Sequence, residues 1–193
     1  HTLFILRFKN LKHTTNMAEL SENLKSRIAW AINPFHNGLT IQVKKTETQT
    51  VKQLRDSANK AERNWGNSVI GQISNGNWTT NLGETLVKET LEAIGHNVRK
   101  PQKRNGYQPD WETDDAIWEV KTRNWTTSGT AGEKVLGVIY KYSDIPILYG
   151  KPLKIVCVAY QEWELTHGNT KIFGNIGASS KEPVKKTTKR DNT

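Results

Sequence analysis

Thirteen residues near the middle of the chain, Pro109 to Lys121, constrain its fold most strongly. They read Pro-Asp-Trp-Glu-Thr-Asp-Asp-Ala-Ile-Trp-Glu-Val-Lys. Asp114-Asp115 suits a two-residue hairpin turn, because aspartate tolerates the backbone such turns require. That turn pairs Thr113 with Ala116 and, stepping outward, Trp111 with Trp118 and Asp110 with Glu119. Directly opposed residues share a face, with Cβ atoms about 4.5–5.5 Å apart, and side chains alternate along each strand. One face therefore gathers Asp110, Glu119 and Lys121, and the other gathers Trp111, Trp118 and Val120. A slip of one residue would put a carboxylate among the tryptophans, so burial of the apolar face enforces this register.

The flanking pattern places the hairpin in an α/β fold. Leu20, Leu24 and Ile28 recur every four residues, which predicts a helix over 17–33 ended by Pro34. Leu39 to Val43 reads as a short strand, and Val51, Leu54, Ala58, Ala61 and Trp65 predict a helix ending before Gly66. The turn formers Ser74 to Asn77 mark the start of the main domain. A helix follows over 81–94, with Leu82, Leu86, Leu91 and Ile94 on one face and Gly95 as its stop. Strands are expected at 96–100, 107–112 and 116–121, then a helix over 133–143. Leu153 to Tyr160 is a near-continuous apolar run, which predicts a buried, central strand. From Asn81 the expected order is α-β-β-β-α-β, a sheet with helices packed on it. Four segments follow: 1–16, read as upstream of a start at Met17; a helical region over 17–73; the core over 74–180; and a disordered basic tail over 181–193.

Charge narrows the choice of partner. The chain carries 28 Lys and Arg against 19 Asp and Glu, a formal net charge of +9. A surplus of this size favours a polyanion such as nucleic acid, through counterion release and steering. The lone Cys157 permits no intramolecular disulfide and fits a reducing, intracellular setting. No apolar run is long enough to span a membrane, and the segment before Met17 has no basic region ahead of Leu3-Phe4-Ile5-Leu6, so it does not read as a secretory signal. There is no Gly-rich loop for a nucleotide cofactor and no Cys/His zinc spacing. The histidines His13, His36, His96 and His167 are scattered.

Two carboxylates as close as Asp110 and Glu119 repel unless a cation or a proton intervenes. Oxygen ligands of this kind suit Mg²⁺, which takes one or two carboxylates together with water and phosphate oxygens. Such an ion activates water toward a phosphodiester, and Lys121 is placed to orient that water or offset the developing charge. The chemistry expected is phosphodiester hydrolysis. The plain alternative is a surface cluster of an acid pair and a lysine, of the kind that contributes little to stability. A structural basic protein with no active site would predict that the three side chains do not converge.

Pro109-Asp110, eight intervening residues, and Glu119-Val120-Lys121 resemble the PD-(D/E)XK nuclease signature. The expected element order from Asn81 to Gln161 is similar to that superfamily's core. The resemblance implies a restriction-endonuclease-like fold in which Asp110 and Glu119 hold Mg²⁺ (or Mn²⁺ as a substitute), with the Val120 carbonyl as a third ligand and Lys121 as the catalytic lysine. Glu84 is the positional match for an acid that many members place on the first core helix, although Asn81 and Glu84 also read as a capping box. The compact size and the Glu-Val-Lys form look most like a type II restriction endonuclease. Homing, junction-resolving and transposon-end nucleases, and a catalytically idle DNA-binding module, share the core. Gln161 resembles a glutamine of the recombination-type relatives. Candidate DNA contacts are Arg123, Asn124, Thr126, Thr127, Ser128 and Thr130 in the polar loop after the catalytic strand, flanked by Lys134, Lys141, Lys100, Lys103 and Arg104. Trp125 either stacks on DNA or packs internally. Cutting both strands of a palindrome would need a homodimer.

Overall fold

Residues 117–123 form the strand on which the rest of the molecule is assembled. The computed structural model describes residues 20–32, 51–71, 77–126 and 132–167. Three helices precede the sheet: α1 (Glu22–Ile32), α2 (Val51–Ile70) and α3 (Trp78–Ala93). They are followed by β1 (Trp111–Glu112), β2 (Ile117–Arg123), α4 (Gly132–Lys141), α5 (Ile145–Tyr149), β3 (Leu153–Ala159) and α6 (Tyr160–His167). The sheet order is β1-β2-β3, with β1 antiparallel and β3 parallel to β2. The strand expected at the centre, β3, thus lies beside it. Its apolar run reports helices on both faces of the sheet rather than a middle place in strand order.

The hairpin has the register its sequence dictates. Trp111 opposes Trp118, Glu112 opposes Ile117, and the Thr113 amide donates to the Ala116 carbonyl at 2.9 Å. Trp118 and Val120, with Val156 and Val158 of β3, bury one face of the sheet against Leu82, Leu86, Val87 and Leu91 of α3. Leu24, Ile28 and Trp30 of α1 belong to the same core, so the helical N-terminal region packs as part of it. On the opposite face Ile155 and Cys157 meet Val135 and Val138 of α4, while Ile117 meets Ile145 and Tyr149 of α5. The architecture is α/β, a small mixed sheet between two helical layers.

Several boundaries differ from expectation for identifiable reasons. Helix α2 runs through Gly66 because that glycine serves a close approach and not a stop. A Cβ there would lie 2.3 Å from Cε3 of Trp78. Helix α3 begins at Trp78, so Asn81 is inside it and the capping box with Glu84 does not exist. At its other end the expected stop is present. Gly95 has φ of 93°, with Gly95 N–H donating to Glu92 and His96 N–H to Leu91, the paired bonds of a Schellman motif.

The strand expected at 96–100 shrinks to one bridge, Arg99 with Glu112, since Pro101 has no amide to extend the ladder. The strand expected at 107–112 is likewise cut to Trp111–Glu112. Its beginning is diverted into a tight turn in which Asn105 and Gly106 both have positive φ and Arg104 bridges Tyr107. Asn-Gly is the dipeptide best suited to that turn. Helix α5 was not expected, although Pro146 in its first turn and Gly150 just past its end (φ 65°) are ordinary helix punctuation. The strand expected over 39–43 and the segments 1–16 and 181–193 lie outside the described residues.

Gly83 fixes the distance between α3 and β2. A Cβ there would fall 1.7 Å from the Thr122 Oγ1 and 2.7 Å from its Cβ. Gly83→Ala is expected to destabilise the fold by about 2 kcal/mol or more, outweighing the roughly 1 kcal/mol that alanine gains in helix propensity. Urea unfolding would read this as a lower midpoint with an unchanged slope.

Candidate active site

Glu119 and Lys121 point to the same face of β2 because they are two residues apart on one strand. Asp110 sits immediately before β1, and its Oδ2 accepts a hydrogen bond from the Val120 amide at 2.6 Å. The Lys121 ammonium donates to Glu119 Oε1 and lies 3.4 Å from the Val120 carbonyl oxygen. The three side chains therefore converge. They do not form the surface cluster considered above, because Glu119 is only 3% exposed while Lys121 remains partly open to solvent.

The electrostatics of this cluster are unbalanced. Burial, followed by the negative charge of Glu119, pushes the Asp110 carboxyl up to about 7, with Glu84 adding to the rise. The Val120 amide and Lys121 oppose it without cancelling it. Glu119 Oε2 is buried and has no hydrogen-bond partner. A desolvated carboxylate with one oxygen unserved is costly unless something positive meets it. The residues present thus fit a hard divalent cation: two carboxylates with spare lone pairs, and a backbone carbonyl at Val120. Among the described residues no group of three His, Cys, Asp or Glu side chains is close enough to hold a metal ion. Glu84, whose charge reaches Asp110, has Oε2 accepting from Lys100 at 3.3 Å and its carbonyl accepting from Trp111 Nε1 at 2.9 Å.

The polar residues leaving β2 are used differently from expectation. Arg123 is buried, pairs with Glu164 at 2.8 Å and lies over the Tyr160 ring. Asn124 is also buried and donates to Glu62 Oε2 at 3.2 Å and to Thr126 Oγ1 at 3.1 Å. Thr126 donates to Glu62 Oε2 from both its amide (3.0 Å) and its hydroxyl (2.6 Å). Arg123, Asn124 and Thr126, named above as candidate DNA contacts, are thus engaged with partners within the protein, the first two buried and Thr126 half-buried. Trp125 packs: its indole donates to the Trp30 carbonyl and its ring meets Tyr160 edge-on. Arg104 Nη1 donates to the Leu148 carbonyl at 2.6 Å from an exposed position, and Lys103 is exposed. Thr127, Ser128 and Thr130 lie outside the described residues, as does the side chain of Lys134.

Two residues important to this region were not legible beforehand. Glu62 of α2 is buried and accepts five hydrogen bonds: from Trp30 Nε1, the Trp125 amide, Asn124, and the amide and hydroxyl of Thr126. No local pattern marks it, since its partners are remote in sequence. Tyr142, in the turn after α4, lies against the face that carries Glu119. Burial first, then the charge of Glu119, pushes its phenol up to about 12.

Family models, curated proteins and solved structures offer no match to the chain.

Proposed function

We propose that the chain is a metal-dependent endonuclease that hydrolyses phosphodiester bonds of double-stranded DNA, with sequence-specific cleavage of the type II restriction kind as its finer form. The observation that carries this reading is the pairing of half-buried Asp110 with buried Glu119, with Lys121 on one Glu119 oxygen and the other oxygen unserved. The net charge of +9 and the Pro-Asp and Glu-Val-Lys elements support a polyanionic substrate and the PD-(D/E)XK resemblance.

Bound Mg²⁺ would supply Lewis acidity toward the phosphate and a more acidic water. Asp110 and Glu119 would hold it, with the Val120 carbonyl as a third oxygen. The Val120 amide fixes Asp110 in place. Lys121, partly exposed beside buried Glu119, orients the attacking water and offsets the charge gathering on the phosphate. One P–O bond forms to the water oxygen and one ester P–O bond breaks, leaving a phosphate monoester and a hydroxyl. Cutting both strands of a symmetric site would use two copies of the chain.

The test is cleavage of unmodified plasmid and phage DNA with Mg²⁺ and with EDTA, at pH values on both sides of 7. Discrete Mg²⁺-dependent fragments are expected, and the Mg²⁺ needed should fall as pH rises through about 7, where Asp110 loses its proton to solvent and its carboxylate is free to hold the cation. The stability sign runs opposite. A carboxyl whose folded pKa is raised holds its proton longer when folded, so the metal-free chain loses stability as pH rises from about 4 to about 7. Nicking alone would point to a structure-specific nuclease. Salt-sensitive binding without cleavage of plasmid or of a branched junction would overturn the nuclease reading.

A further inference from the structure

The turn after α4 brings one more polar group within reach of Glu119 and Asp110. Tyr142 packs against both apolar clusters on the Glu119 side of the sheet. One contains Ile155, the residue paired with Glu119 across β2 and β3. The other contains Ile117, two residues before Glu119 on the same face. The ring is steadied by Tyr107 at 5.8 Å between centroids, and the Tyr142 amide is tied to the Val138 carbonyl at 2.9 Å. A half-buried phenol is thereby held on the same side of the sheet as, and within electrostatic reach of, a carboxylate whose Oε1 is taken by Lys121 and whose Oε2 has no partner.

Resting on the metal-site reading above, we propose that Tyr142 is a positioning residue whose hydroxyl donates to Glu119 Oε2 and sets the direction in which that carboxylate presents its remaining lone pair to the cation. Each carboxylate oxygen has two acceptor positions, so one bond from Tyr142 leaves the other position of Oε2 open. The phenol suits this task because it stays protonated and neutral: burial and the charge of Glu119 and Asp110 both push against its ionisation. Hydrogen bonds to metal-ligating groups orient them, and their loss costs roughly 10–100-fold in metal affinity or activity.

Tyr142→Phe removes only the hydroxyl and keeps the ring in its packing. Mn²⁺ binding to the full chain, followed without DNA by the electron paramagnetic resonance signal of the free ion, is expected to weaken about tenfold in this variant. Thermal unfolding in EDTA should be little changed. Tyr107→Phe, in the same ring pair, should bind Mn²⁺ within about twofold of the wild type, which separates positioning of the carboxylate from general loosening of the stack. Tyr142→Phe binding Mn²⁺ as tightly as the wild type overturns the role of Tyr142 and leaves the metal site standing. A wild-type chain that binds no Mn²⁺ overturns both.

Discussion

Lys121→Ala is expected to lower DNA cleavage by about a hundredfold to a thousandfold while DNA binding in EDTA persists. The magnitude is that of removing one preorganised donor from a site where charge develops in the transition state. The persistence of binding follows from where the charge lies. Affinity for a polyanion is spread over many surface cations, whereas Lys121 is one ammonium already engaged with Glu119 and the Val120 carbonyl. Its loss also leaves the buried Glu119 without its only hydrogen-bonded cation among the described residues. Mg²⁺ should then stabilise the variant more than the wild type in thermal unfolding, because the ion replaces a missing positive charge beside a desolvated acid. Electrophoretic mobility shifts and single-turnover cleavage together check the result. Unchanged turnover would remove Lys121 from the active site.

Glu62→Ala is expected to be the most damaging single change to the fold near that site, costing about 3–5 kcal/mol. Five donors converge on this carboxylate from α1 and from the chain leaving β2. Alanine removes every acceptor at once and leaves buried N–H and O–H groups unpaired, each with a desolvation penalty of about 1–3 kcal/mol before relaxation. Glu62→Gln is the informative companion. It keeps the shape but turns an amide N–H₂ toward groups that are themselves donors, so it should recover only part of the loss. Chemical denaturation measures both, and near-UV circular dichroism should report the change at Trp30 and Trp125, which bond to Glu62 directly. A stability within about 1 kcal/mol of the wild type for Glu62→Ala would mean that water replaces the carboxylate without cost.

The hairpin was readable because its signal is local. Tryptophans and acids alternate across a short turn, and the apolar face tolerates only one register. The core face of α3 and its glycine stop were readable for the same reason. The Asn105-Gly106 turn and the Pro146/Gly150 punctuation of α5 were also present in the residues, and a closer reading of turn chemistry would have found them. Gly66 misled because glycine ends helices and also admits close neighbours. Only the ring of Trp78 lying on it shows which use applies.

The sequence by itself determined which side chains share a face: alternation along β2 and burial of Trp111 and Trp118 commit Asp110, Glu119 and Lys121 to the opposite side. The tertiary structure decided how those groups and their neighbours are used. It engaged Arg123, Asn124 and Thr126 with Glu164 and Glu62, paired Glu84 with Lys100, buried Glu119, and packed Tyr142 on the same side of the sheet. These outcomes depend on partners brought from far along the chain, and desolvation, which sets the cost of every unpaired donor and charge, exists only once those elements have packed together.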